Sequence, residues 1–144
     1  MTDAMTTAAA PALDLRDVRK GYATPQGRLE VLRGVSLTLP RGESLALTGE
    51  SGSGKSTLLH LAGGLDTPDG GEIRVAGQPT SGLDDGGRAA LRRDRVGLVF
   101  QHFNLVPSLD VAENLAFQAR LARREDPAWT AELAHRLGLG DLLS

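Results

Sequence analysis

Nine consecutive residues, Gly49-Glu50-Ser51-Gly52-Ser53-Gly54-Lys55-Ser56-Thr57, carry the clearest chemistry in the sequence. They fit G-x-x-x-x-G-K-[ST], the pattern of a phosphate-binding P-loop. Glycines admit backbone conformations that a Cβ forbids, so successive N–H groups can point inward at phosphate oxygens. Lys55 would place its ammonium between the β- and γ-phosphates of a nucleoside triphosphate, and the Ser56 hydroxyl would ligate Mg²⁺. A helix opening near Lys55 adds the positive end of its dipole to the same anion. From average residue usage, the four fixed positions would coincide by chance in about one such chain in a hundred.

The flanks supply the context this motif needs. Ser44-Leu45-Ala46-Leu47-Thr48 is short and apolar, as a buried strand should be, and Leu58, Leu59, Leu61, Ala62 and Leu65 recur at helical spacing. A merely flexible glycine-rich surface loop would not bring a strand before it and a helix after it. Upstream, Leu13–Val18 alternates apolar and polar and reads as a half-buried strand. The only tyrosine, Tyr22, follows in a Lys20-Gly21-Tyr22 turn, where its ring could stack on a purine base or simply pack. Gln26-Gly27 marks a hairpin turn, Glu30–Leu39 a further strand, and Pro40-Arg41-Gly42-Glu43 a turn into the P-loop strand.

Downstream, Asp66-Thr67-Pro68-Asp69-Gly70-Gly71 is turn chemistry and Glu72–Val75 alternates as an edge-type strand. Gly77–Gly87 is loop-like, Arg88–Arg93 a short helix, and Val96-Gly97-Leu98-Val99-Phe100 a second buried-type strand ending at Gln101. Asp110 with Glu113 three residues on predicts a capped helix start, with Val111, Leu115, Ala116, Ala119 and Ala122 as its buried stripe. A last helix is expected from Pro127 to Leu137, stopped by Gly138 or Gly140. Strands alternating with helices around a P-loop imply an α/β domain.

Composition narrows the class. The 144 residues suit one domain, and the net charge of −2 gives no sign of a nucleic-acid partner. Cysteine is absent, which removes disulfides and thiolate metal sites and fits a reducing compartment. No apolar run reaches membrane-spanning length, and the start lacks the basic and apolar regions of a signal peptide. Residues 1–11 read as a disordered lead-in, and a soluble, cytoplasmic protein is expected.

At Val99-Phe100-Gln101 the sequence resembles a known family, the ATP-binding subunits of ABC transporters, and within it the lipoprotein-release and macrolide-export type. The resemblance rests on Gly49–Thr57 with Leu58-Leu59, Asp69-Gly70-Gly71-Glu72-Ile73, Leu91-Arg92-Arg93, Val96–Gln101, Phe103-Asn104-Leu105-Val106-Pro107 and Ala112-Glu113-Asn114. It covers the chain from about Leu13 onward. It implies a P-loop NTPase fold of the ABC ATPase type with an N-terminal antiparallel β subdomain, residues 12–144 forming part of a nucleotide-binding domain. Tyr22 matches the aromatic that stacks on adenine. Gly49, Ser51, Gly52, Ser53, Gly54, Lys55, Ser56 and Thr57 match the ATP cradle. Gln101 matches the glutamine that helps hold Mg²⁺ and senses the γ-phosphate, so Lys55 and Gln101 are the expected catalytic residues. Phe103–Asn114 resembles the segment that meets a membrane permease subunit. A dimer with a second nucleotide-binding subunit, peripheral at the inner face of the membrane, is implied.

The family pattern continues where this sequence stops. Its S-G-G-Q-type signature, its apolar strand ending in Asp-Glu and its switch histidine have no counterpart here, and His60, His102 and His135 lie at the wrong places to substitute. Pro79-Thr80-Ser81-Gly82-Leu83-Asp84 resembles the loop after the Asp-Glu pair but comes too early and is read as coincidence. The expectation is therefore an energy-coupling ATPase seen in its N-terminal part. The rival is a catalytically silent MgATP-binding fragment, poorly stable alone, that binds without turnover. A small-molecule kinase is a third reading, but neither the Gln101 region nor the aromatic upstream of the P-loop has a place in one.

Overall fold

The first strand is longer than its alternation suggests because a hairpin partner runs beside it to the turn. In the computed structural model, which describes residues 10–142, β1 spans Leu13–Thr24 and β2 spans Gly27–Leu39. They are antiparallel, with Leu15 opposite Leu37 and Thr24 opposite Gly27 around a Pro25-Gln26 turn. Tyr22 thus lies on a strand, opposite Leu29, and not in a turn; a register shift between Lys20 and Gly21 is the local irregularity that the glycine signalled. Strands β3 (Gly70–Val75) and β4 (Gln78–Pro79) complete a sheet in the order β2-β1-β3-β4. β3 is therefore interior to the sheet, covered on its outer side by the two residues of β4.

One face of this sheet is apolar, and a bulge keeps it so. Leu15 and Val18 are three residues apart, which an ideal strand would place on opposite faces. The register shift between them, with Asp17 at φ 47°, returns Val18 to the buried face. Helix α1 (Lys55–Ala62) packs there: Leu58 and Leu61, one turn apart, join Leu15, Val18, Leu32 and Ile73 in the core. Gly63 closes the helix by donating to Leu59 O. Helix α2 (Asp85–Arg95) follows, longer than expected, because Asp84 accepts from Gly87 N at 2.7 Å and starts it early. The Pro79–Asp84 string therefore has a structural job, ending as a helix cap.

The described chain divides into two compact units, the first through Arg95 and the second from Val96. In the second, α3 (Val111–Leu121) opens with a full capping box: Asp110 accepts from Glu113 N at 2.7 Å, and Glu113 accepts from Asp110 N at 3.1 Å. Its expected stripe is only half-buried at Leu115, Ala116, Ala119 and Ala122, and Val111 is exposed. Helix α4 (Pro127–Arg136) has Pro at its start, Asp126 as cap to Trp129 N, and Gly138 at φ 69° just beyond its end. A short 3₁₀ turn occupies Gly140–Leu142.

Two expected strands are absent. Neither Ser44–Thr48 nor Val96–Phe100 belongs to a sheet. A buried parallel strand needs a hydrogen-bonded neighbour, and among the described residues neither segment has one. Leu45 at 52 % and Val99 at 101 % exposure stay largely in water, while Leu47 is half-buried against the core. Residues 1–9 of the expected lead-in lie outside the described residues. The core of the first unit makes a direct prediction: Leu61→Ala, at a side chain 1 % exposed, should cost about 2–5 kcal/mol in denaturant unfolding.

Candidate functional site

The loop before α1 takes its shape from what lies behind it. Gly54 is the N-cap of α1 at φ 91°, a conformation open to glycine and strained for other residues. A Cβ at Gly54 would also stand 3.0 Å from Leu32 Cδ2 and Val31 Cγ1, so glycine lets the helix start close to β2 without pressing on it. Under the loop lies a mostly apolar cavity of about 230 Å³, bounded by Leu32, Val35, Leu47 and Leu58 with Gly49 and Lys55 at its polar side.

The helix start is chemically open. Gly54 supplies no side-chain cap, and the first helical bond runs from Leu58 N to Gly54 O at 2.9 Å. The N–H groups of Lys55, Ser56 and Thr57 therefore have no acceptor within the helix. No acidic side chain stands in the first turn to repel an anion. Lys55 Nζ reaches back over the loop, donating to Gly49 O at 2.8 Å, Glu50 O at 2.6 Å and Ser53 Oγ at 3.3 Å. Gly49 and Gly52 hold positive φ angles of 146° and 81°, and Ser51, Gly52, Ser53 and Ser56 are exposed. Unpaired N–H groups, a helix dipole and a lysine ammonium on one turn suit a polyphosphate. The Ser56 hydroxyl is a hard oxygen donor of the kind Mg²⁺ takes beside phosphate oxygens and water.

Two expected site residues lie outside this loop in the sequence, Tyr22 and Gln101. Tyr22, 40 % exposed, belongs to the first unit with the P-loop, and its hydroxyl donates to Asp66 Oδ2 at 3.1 Å. Gln101 belongs to the second unit and is exposed in irregular chain, not at a strand end. After it, Asn114 on α3 organises the loop before its own helix: it accepts from Val106 N at 2.8 Å and donates to Val106 O, Leu109 O and Asp110 O. Phe103 in this segment is 91 % exposed. His60, His102 and His135 are exposed, and among the described residues no group of three or more His, Cys, Asp or Glu could hold a metal ion. No described helix is long and apolar enough to cross a membrane.

Comparison with known proteins decides the family. A family model described as ABC transporter matches residues 32–144. The chain belongs to the ABC transporter family. It is 45 % identical over 139 residues to the lipoprotein-releasing system ATP-binding protein LolD of Maricaulis maris, covering 91 % of this chain and 58 % of that protein. It is 43 % identical over 134 residues to the macrolide export ATP-binding/permease protein MacB of Shigella flexneri, covering 91 % of this chain and 21 % of that one. The chain thus spans little more than half of one relative and about a fifth of the other. Among solved structures, the dimeric bacterial ABC transporter cassette MJ0796 matches with a TM-score of 0.78 at 35 % identity, over 86 % of this chain and 54 % of that one. A second MJ0796 structure, in a post-hydrolysis state with ADP and Pi, matches equally well.

One cluster in this ABC-family chain escapes sequence reasoning. Lys20, largely buried on β1, donates to Asp66 Oδ1 at 2.8 Å and to Thr67 O at 2.7 Å, with Asp69 4.0 Å away. Asp69 accepts from Gly21 N at 2.7 Å and pairs with Arg28. The two acids read as ordinary turn residues, and nothing in the sequence joins them to a lysine more than forty positions upstream. Partial burial alone would raise the Asp66 carboxyl; donation by Lys20, the Thr67 N–H and Tyr22 outweighs it and holds the pKa below the usual value. Asp69 is lowered chiefly by the Gly21 N–H, against desolvation, with Arg28 and Lys20 adding their charges. Depressed carboxylates contribute stability above their unfolded pKa of about 3.9 and lose it as pH falls through the folded value. Denaturant midpoints taken from pH 6 down to pH 2.5 should therefore fall more steeply for the unsubstituted protein than for Asp66→Asn.

Proposed function

We propose that the chain is the MgATP-binding part of an ABC transporter subunit, one that couples ATP binding and hydrolysis to export or lipoprotein release through a partner permease. The observation that carries this is the open first turn of α1 beside Lys55. Binding would exchange the three contacts of Lys55 Nζ with neutral loop oxygens for contacts with anionic phosphate oxygens, and charge-assisted bonds are the stronger kind. The N–H groups of Gly52 to Thr57 would cradle the phosphates, Ser56 and Gln101 would hold Mg²⁺, and Tyr22 would stack on the base. LolD and MacB, named for ATP binding in lipoprotein release and macrolide export, support the transport role. The dimeric state of the MJ0796 cassette supports pairing with a second nucleotide-binding subunit. The exposed Phe103 and the loop tied by Asn114 are the surface assigned to the permease, which would place the protein at the cytoplasmic face of the membrane.

The catalytic contribution of Lys55 is charge: it would draw negative charge off the β- and γ-phosphoryl oxygens as the terminal phosphoryl group departs. Isothermal titration with MgATP tests the binding step. Lys55→Ala should weaken binding at least tenfold; an unchanged affinity would remove the P-loop from the account.

A further inference from the structure

We propose that Asp66 and Lys20 are positioning residues that fix the Tyr22 ring for the base of the bound nucleotide, an inference that rests on the reading of Tyr22 as the base-stacking aromatic. A tyrosine on a strand near a hairpin has two free side-chain torsions, and stacking needs one of their combinations. Here the hydroxyl end and one face of the ring are each engaged. The hydroxyl donates to Asp66 Oδ2 at 3.1 Å, while Lys20 Nζ stands 5.2 Å from the ring centroid. Lys20 in turn is held by Asp66 Oδ1 and Thr67 O, so one carboxylate orients both the phenol and the cation beside it. A cation near a tyrosine ring is attracted to its negative face, which commits that face to Lys20. Tyr22 as a residue is 40 % exposed, which leaves part of it open to a flat ligand.

The same arrangement ties the base reader to the phosphate cradle. Lys55 and Ser56 begin α1, and Asp66 lies four residues beyond its end at Ala62. The turn between is closed by Leu65 N donating to His60 O at 2.8 Å and Gly64 N donating to Leu61 O at 3.1 Å. An eight-residue helix is a rigid spacer of about 12 Å. Asp66 is thus tied through this turn to the helix that opens with the phosphate-binding turn, and its hydrogen bond links the orientation of the Tyr22 ring, whose backbone lies on β1, to that helix.

The test compares MgATP with magnesium tripolyphosphate, which offers the phosphates without a base, by titration into the unsubstituted protein and into Tyr22→Leu, Tyr22→Phe and Asp66→Ala. Tyr22→Leu should weaken MgATP about tenfold and leave tripolyphosphate unchanged. Tyr22→Phe, which keeps the ring and deletes only the hydroxyl, and Asp66→Ala should each weaken MgATP about threefold, again without effect on tripolyphosphate. Combined, Tyr22→Phe and Asp66→Ala should lose less than the product of their separate effects. If Tyr22→Leu weakens MgATP but Tyr22→Phe does not, stacking stands and positioning through Asp66 is overturned. If Tyr22→Leu changes neither ligand, the stacking reading itself fails and this inference with it. If Asp66→Ala weakens both ligands equally, its role is in holding the fold, and positioning is again overturned.

Discussion

Helix α1 must satisfy two opposed demands within eight residues. Its inner face has to bury Leu58 and Leu61 against the sheet, and its first turn has to leave backbone N–H groups uncapped and open. A capping Ser, Asp or Asn would ordinarily stabilise such a helix over a glycine cap by roughly a few tenths of a kcal/mol. Gly54 stands there instead, held at positive φ and so close to Val31 and Leu32 that a Cβ would press on both. The cost of the missing cap is met by packing, since isolated helices this short are not stable in water. Phosphate affinity and core burial are therefore one structural problem: β2 supports the helix start, and the helix start presents the anion site.

How much of this could be read beforehand follows from where each interaction lies along the chain. Local chemistry was legible. The P-loop, the helix after it, the Asp110–Glu113 capping box and the helix-ending Gly138 all depend on residues within a few positions of one another. The antiparallel hairpin was legible too, from alternation and turn residues. Long-range features were not. The Lys20–Asp66–Asp69 cluster joins β1 to the turn after α1, and its acids carry the same turn signature whether or not a lysine faces them. The bulge at Asp17 left a local trace that the reading as simple alternation passed over: Arg16 and Asp17 are both polar, so Leu15 and Val18 stand at an odd spacing.

The two failed strands teach a different lesson. Ser44–Thr48 and Val96–Phe100 have the short apolar composition of buried strands, but composition describes the side chains and not the neighbours. Strand formation is a property of a pair, because each backbone N–H and C=O needs a partner across the ladder. Gln101 shares this fate: its expected position depended on the strand before it, which carries no ladder among the described residues. Tyr22 went the other way, gaining a strand position because β2 extends beside it as far as Gly27.

The central claim is that the open first turn of α1 holds the phosphates of a nucleotide. Backbone hydrogen exchange across residues 50–58, measured with and without saturating MgATP, tests it most directly. Bound phosphate oxygens should accept from the N–H groups of Gly54 to Thr57 and slow their exchange at least tenfold, with little change in α4. Unchanged exchange at these amides while MgATP is demonstrably bound would place the nucleotide elsewhere and contradict the account.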